Sequence, residues 1–163
     1  MLPDELFSII FYRKGNYVHA LMRSTAGKIF RSDSSDRGKT WCDAYPIDLP
    51  NNNSGVDVVM HDDILFLIYN PVSDNWGVRT PLSINYSFDE GHTWLQEPVH
   101  IEDQSHGSFS YPAMISTPNG LAITYTWNRK NIVFKELAVE RICCENIKII
   151  EKISCKKKSY GAI

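Results

Sequence analysis

Several function classes are excluded by what this sequence lacks. No run of 18 apolar residues occurs, so no helix able to span a membrane is expected. The first residues, Met1-Leu-Pro-Asp-Glu5, have no basic stretch followed by an apolar one. No secretory leader is therefore expected there, and the compartment stays open. No pair among Cys42, Cys143, Cys144 and Cys155 has C-x-x-C spacing, and no histidine lies near enough to complete a zinc set. Neither a metal nor another cofactor is expected. Vicinal cysteines such as Cys143-Cys144 rarely bridge without strain, so all four are read as free thiols. Charge of one sign is also missing: 17 Lys and Arg face 19 Asp and Glu, a formal net charge of −2, which gives no reason to expect nucleic acid as a partner. The one basic run, Lys156-Lys157-Lys158, has no interleaved aromatics and reads as a solvated end. Helical periodicity is absent before about residue 135.

What is present is a globular composition, 43% hydrophobic and 22% charged, in 163 residues, which suits one core rather than two enzyme-sized domains. Short β-like runs alternate with turn signals. Leu6–Tyr12, Tyr17–Met22 and Lys28–Ser32 are separated by Lys14-Gly15-Asn16 and Thr25-Ala26-Gly27, the layout of an antiparallel meander. It returns as Val56–Met60, Ile64–Tyr69 and Leu82–Ser87, and again as Tyr111–Ser116, Leu121–Trp127 and Ile132–Leu137.

An internal repeat turns this layout into an architecture. Residues 34–41 (SSDRGKTW) and 87–94 (SFDEGHTW) share S-x-D-x-G-x-T-W, with Asp36 and Asp89 53 residues apart. A period near this length with four strands per unit is the signature of a propeller. Each element of the motif has a physical use in a turn between third and fourth strands. The Asp accepts backbone N–H bonds, the Gly tolerates positive φ, the hydroxyls lock the loop, and the Trp plugs it against the blade. The expected fold is all-β: a partial, about three-blade propeller of four-stranded antiparallel sheets over 1–139, both boxes on one outer rim. The third unit, from Ser108, has no box, and the tail 140–163 supports no assignment.

These Asp boxes resemble those of the sialidase (neuraminidase) superfamily and the wider bacterial neuraminidase repeat (BNR) proteins. The order Leu21-Met-Arg23-Ser, Leu49-Pro-Asn-Asn-Asn-Ser-Gly55, Tyr69-Asn-Pro71, Arg79-Thr-Pro-Leu82, Phe109-Ser-Tyr-Pro112 and Tyr125-Thr-Trp-Asn-Arg129 is similar to the C-terminal half of a sialidase-like propeller, over roughly residues 5 to 138. In that superfamily three arginines grip the substrate carboxylate, a tyrosine paired with a glutamate is the nucleophile, and an aspartate is the acid/base. A neutral phenol can approach an anomeric centre beside a carboxylate that would repel a carboxylate nucleophile.

The resemblance places Arg23 and Arg79 at the second and third arginine positions, where a guanidinium fork reads a carboxylate bidentately. It places Tyr111 at the nucleophile position, although Pro112 follows it where typical sialidases carry serine. Glu5 is the nearest glutamate to the base position, and Arg129 either lines the same pocket or contacts a neighbouring blade. The first arginine and the catalytic aspartate belong to earlier blades and have no counterpart here. The five histidines show no ligand pattern and are expected at the surface or rim. The resemblance thus implies a sialidase-family glycosidase acting on terminal sialic acids or related glycosides once the missing blades are supplied. The alternatives are a non-catalytic piece that binds carbohydrate or protein, and a degenerate gene remnant. A sialoside or other glycan is the expected ligand, with the missing propeller half or self-association as the expected protein contact.

Overall fold

The computed structural model describes residues 6–143 and 146–158. Among them are twelve strands and no helix. β1 (Leu6–Lys14), β2 (Tyr17–Ser24), β3 (Lys28–Ser34) and β4 (Tyr45–Pro50) form the first sheet. β5 (Asp57–His61), β6 (Ile64–Tyr69), β7 (Leu82–Ser87) and β8 (Val99–Glu102) form the second. β9 (Phe109–Thr117), β10 (Gly120–Trp127), β11 (Asn131–Cys143) and β12 (Asn146–Lys158) form the third. In each sheet the strands lie in chain order and pair antiparallel, so three blade-like units follow one another. The first strands of neighbouring units face each other, and the backbone N–H of Met114 on β9 donates to Asp57 Oδ2 on β5 at 2.7 Å.

Two cores join the three sheets. Leu21, Ile29 and Leu49 of the first sheet pack on Val58, Leu65 and Leu67 of the second. Phe66, Ile68 and Ile84 of the second pack on Leu121, Ile123 and Val133 of the third. β6 serves both cores: all six of its residues, Ile64-Leu-Phe-Leu-Ile-Tyr69, are buried. A strand covered on both faces has no use for a polar face, and its sequence is correspondingly an unbroken apolar run.

Within the tail that the sequence left unassigned, the described residues 140–143 and 146–158 are strand. β11 runs through position 139 to Cys143, and β12 pairs back along it from Asn146↔Cys143 to Lys158↔Asn131. Lys135 on β11 is nearly buried, and its ammonium lies 2.8 Å from Glu151 on β12 and 3.3 Å from Glu102 on β8, so the tail is tied to both its own blade and the preceding one. Cys42, Cys143 and Cys155 are free and exposed.

Candidate functional site

Antiparallel connectivity sorts the loops by end. The β2–β3 turn, the 51–56 link, the β6–β7 loop, the 103–108 link and the β10–β11 turn gather at one end and are bonded to each other. Asn51 N–H donates to Gly27 O at 3.0 Å, Phe109 N–H to Arg79 O at 2.9 Å, and Asn128 N–H to Ser108 O at 2.7 Å. The Asp boxes lie at the opposite end with the β1–β2 turn, where Arg37 N–H donates to Asn16 O at 3.0 Å and Lys14 pairs with Glu90 at 2.8 Å. Arg23, Arg79, Tyr111 and Arg129 all fall at the first end. Glu5 lies outside the described residues.

Local chain geometry presents three of these side chains. Thr124 pairs with Ala113 but Thr126 pairs with Ser110, so Tyr111 and Pro112 together oppose Tyr125 in a β-bulge. Bulges re-aim side chains. Tyr111 sits at φ 54 and is 69% exposed, whereas its neighbours Ser110 and Pro112 are buried. A left-handed backbone at a bulky residue costs on the order of 1–3 kcal/mol and persists only where its surroundings fix it. Asn128 and Arg129, at φ 51 and 54, form a two-residue turn closed by Lys130 N–H to Trp127 O at 3.0 Å. Positive φ at both central residues is the hairpin turn whose twist matches the flanking strands, and here it puts Arg129 at the tip. Arg79 lies in the β6–β7 loop, three residues before β7, with its guanidinium carbon 5.5 Å from the centre of the Tyr111 ring, within cation–π range.

Arg79 and Arg129 line one cavity of about 310 Å³ together with Asn52, Trp76, Gly77, Val78, Gly107 and Ser108. None of these residues is acidic, and among the described residues no carboxylate pairs with Arg79 or Arg129. Arg129 thus lines the same cavity as Arg79, whereas Tyr111 is not among its lining residues. Arg23 is outside this lining: its Nη1 donates to the carbonyl of Asn53 at 3.0 Å. The neighbouring Asn52 amide donates to Val78 O at 2.6 Å, so a continuous chain of contacts runs from Arg23 to the arginine pocket. Asn53 is fully buried, yet its side-chain amide has no hydrogen-bond partner among the described residues, and neither has Ser110 Oγ. Buried polar atoms normally find partners, so this end carries unmet hydrogen-bonding capacity.

The boxes form as the motif requires. Thr40 N–H and its hydroxyl donate to Asp36 at 2.8 and 2.7 Å, and Thr93 repeats both bonds to Asp89 at the same distances. Gly38 N–H and Gly91 N–H each donate to the box serine, Ser34 or Ser87, at 2.8 Å. The backbone and side-chain bonds from Thr40, followed by that from Ser34, hold the Asp36 carboxyl down at about 2. The second box also forms a seam between blades: Arg31, 1% exposed on β3, donates to Glu90 O at 2.8 Å and to Asp33 at 2.8 Å, and the Tyr12 hydroxyl donates to the same Glu90 carbonyl.

Two expectations need correction here. Trp41 is 38% exposed, so it is not a buried plug, whereas Trp94 is half-buried against the first core. The histidines are not all at the surface: His19 and His61 are buried, His19 stacking on Tyr12 and lying 2.5 Å from Asp33, and His61 bonded to Ser116 at 2.9 Å. Among the described residues no histidine belongs to a group able to hold a metal.

The model of the BNR repeat-like domain matches residues 3–123. The chain belongs to the BNR repeat-like domain family. No curated protein matches it. The BNR match takes in both Asp boxes, Arg23, Arg79 and Tyr111 and ends inside β10, so Arg129, the β11 strand and the tail lie beyond it. Two lining residues of this pocket, Asn52 and Trp76, were given no role by the sequence. Asn52 belongs to the Leu49-Pro-Asn-Asn-Asn-Ser-Gly55 run that carried the resemblance, and it is buried. The available signal for Trp76 was an indole in a loop, Asp74-Asn-Trp-Gly77, whose other residues are all turn formers.

Proposed function

We propose that this chain recognises a carboxylated sugar, as a sialidase-like BNR domain, through the Arg79–Arg129 pocket. The observation that carries the reading is the pair of guanidiniums lining one cavity with no acidic residue in its wall. Arginine matches a carboxylate in planar, bidentate fashion, and an uncompensated pair raises the local anion concentration. Ser108 adds a hydroxyl to the wall, while the buried Asn52 amide is spent on the loop, donating to Gly77 O and Val78 O. Arg23, one loop away, belongs to the same end and extends the positive field.

Hydrolysis is the second reading, favoured by Tyr111, whose exposed ring lies beneath the Arg79 guanidinium. In it Tyr111 would attack the anomeric carbon while the arginines hold the carboxylate. No Asp, Glu or His lines the cavity to protonate the leaving oxygen. General acid help is worth about 100- to 10,000-fold, so this chain alone is expected to bind without turnover.

Calorimetric titration with N-acetylneuraminic acid tests the first reading, and a fluorogenic sialoside assay tests the second. Binding that is lost on Arg79→Ala, with no turnover, is the expected result. Absence of binding, or binding indifferent to both Arg79→Ala and Arg129→Ala, refutes the proposal. Turnover abolished by Tyr111→Phe would instead show that an acid is supplied from elsewhere in the chain.

A further inference from the structure

We infer that Trp76 is the stacking face of the arginine pocket, so that its ligand is a pyranose ring laid on the indole with its carboxylate turned to Arg79 and Arg129. This rests on the carboxylated-sugar reading and adds to it the ring and the residue that selects for it. Of the four tryptophans in the sequence, Trp76 is the one at 66% exposure; Trp41 is at 38%, and Trp94 and Trp127 are half-buried. An indole left in water forfeits the burial that usually justifies it, and Trp76 lines the same cavity as both arginines.

The loop fixes the backbone that carries this indole. The backbone N–H of Trp76 donates to Asn52 O at 3.1 Å, and the Asn52 amide donates forward to Gly77 O at 3.3 Å and Val78 O at 2.6 Å. Asn52 itself is 2% exposed, so the anchor is rigid. Trp76 sits at φ 58, and Gly77 closes a turn by donating to Asp74 O at 2.7 Å. A Cβ at position 77 would come within 2.7 Å of that carbonyl, so the turn that presents Trp76 requires glycine there. A flat apolar surface on an anchored backbone, beside two guanidiniums, complements a molecule with one apolar face and one carboxylate. A pyranose acid has both: its ring C–H groups form an apolar face and its hydroxyls and carboxylate lie around the edge. A small carboxylate without a ring would use the arginines alone.

The test compares N-acetylneuraminic acid with acetate on the full chain, by calorimetry and by tryptophan fluorescence. For the wild type, the sugar should change the indole emission and acetate should not. Trp76→Ala should weaken the sugar roughly tenfold, the order expected of one aromatic stacking contact, and leave acetate unchanged. Trp76→Phe, which keeps a ring, should restore most of the affinity. Because the side chain is mostly exposed, either substitution should move the melting temperature by no more than about 4 °C, which separates lost stacking from lost fold. Sugar affinity unchanged in Trp76→Ala, with Arg79→Ala still abolishing it, overturns the inference and leaves the carboxylate reading standing. No sugar binding by the wild type overturns both.

Discussion

Replacing each box tryptophan by alanine should give unequal losses, because the second box is wedged between two blades and the first is not. A Cβ at Gly91 would meet Trp94, Arg31 and Leu65, whereas one at Gly38 would meet only Trp41. Trp41 is 38% exposed; if an indole side chain offers about 250 Å², about 150 Å² is covered, an upper limit near 4 kcal/mol at ~25 cal/mol/Å². Alanine keeps part of that contact and the unfolded chain already buries some, so Trp41→Ala should cost about 2 kcal/mol. Trp94 packs on the first core and should cost about 3–4 kcal/mol, toward the range of buried aromatics. At about 2–4 °C per kcal/mol for a chain of this size, the melting temperature should fall by about 4–8 °C and about 6–16 °C respectively. Calorimetric or near-ultraviolet circular dichroism melts of the two variants would measure this. Equal losses, or a larger one for Trp41→Ala, would refute the wedge.

Two more expectations concern the scaffold. Phe66→Ala, at the centre of the doubly covered strand β6, should cost about 3–5 kcal/mol, and urea titration would check it. The Asp36 carboxyl is held at about 2 against an ordinary 3.8, so its contribution to the first box is complete above 3.8 and is lost as the pH falls through 2. Carboxyl resonances followed by nuclear magnetic resonance should therefore show Asp36 still ionised at pH 3, and an ordinary titration there would contradict the bonds from Thr40 and Ser34.

The sequence by itself determined the elements that depend on near neighbours. Each Asp box is a circuit of bonds within eight residues, so S-x-D-x-G-x-T-W carries its own structure wherever it occurs. The apolar run of β6 declared a strand, and the turn residues marked the meander. The end at which Arg23, Arg79, Tyr111 and Arg129 gather follows from antiparallel order, which sends alternate connections to opposite ends. The tertiary structure decided the rest. Whether Arg129 joins Arg79 depends on how the second and third blades pack, through contacts such as Phe109 N–H to Arg79 O that span 30 positions. Tyr111 is turned outward by a one-residue slip in pairing, and no composition rule marks a slip. The described part of the mixed Ile, Cys and Lys tail became strand because β11 offered it an edge, and Trp41 and Trp94, identical in motif, differ because only the second box has a blade on each side.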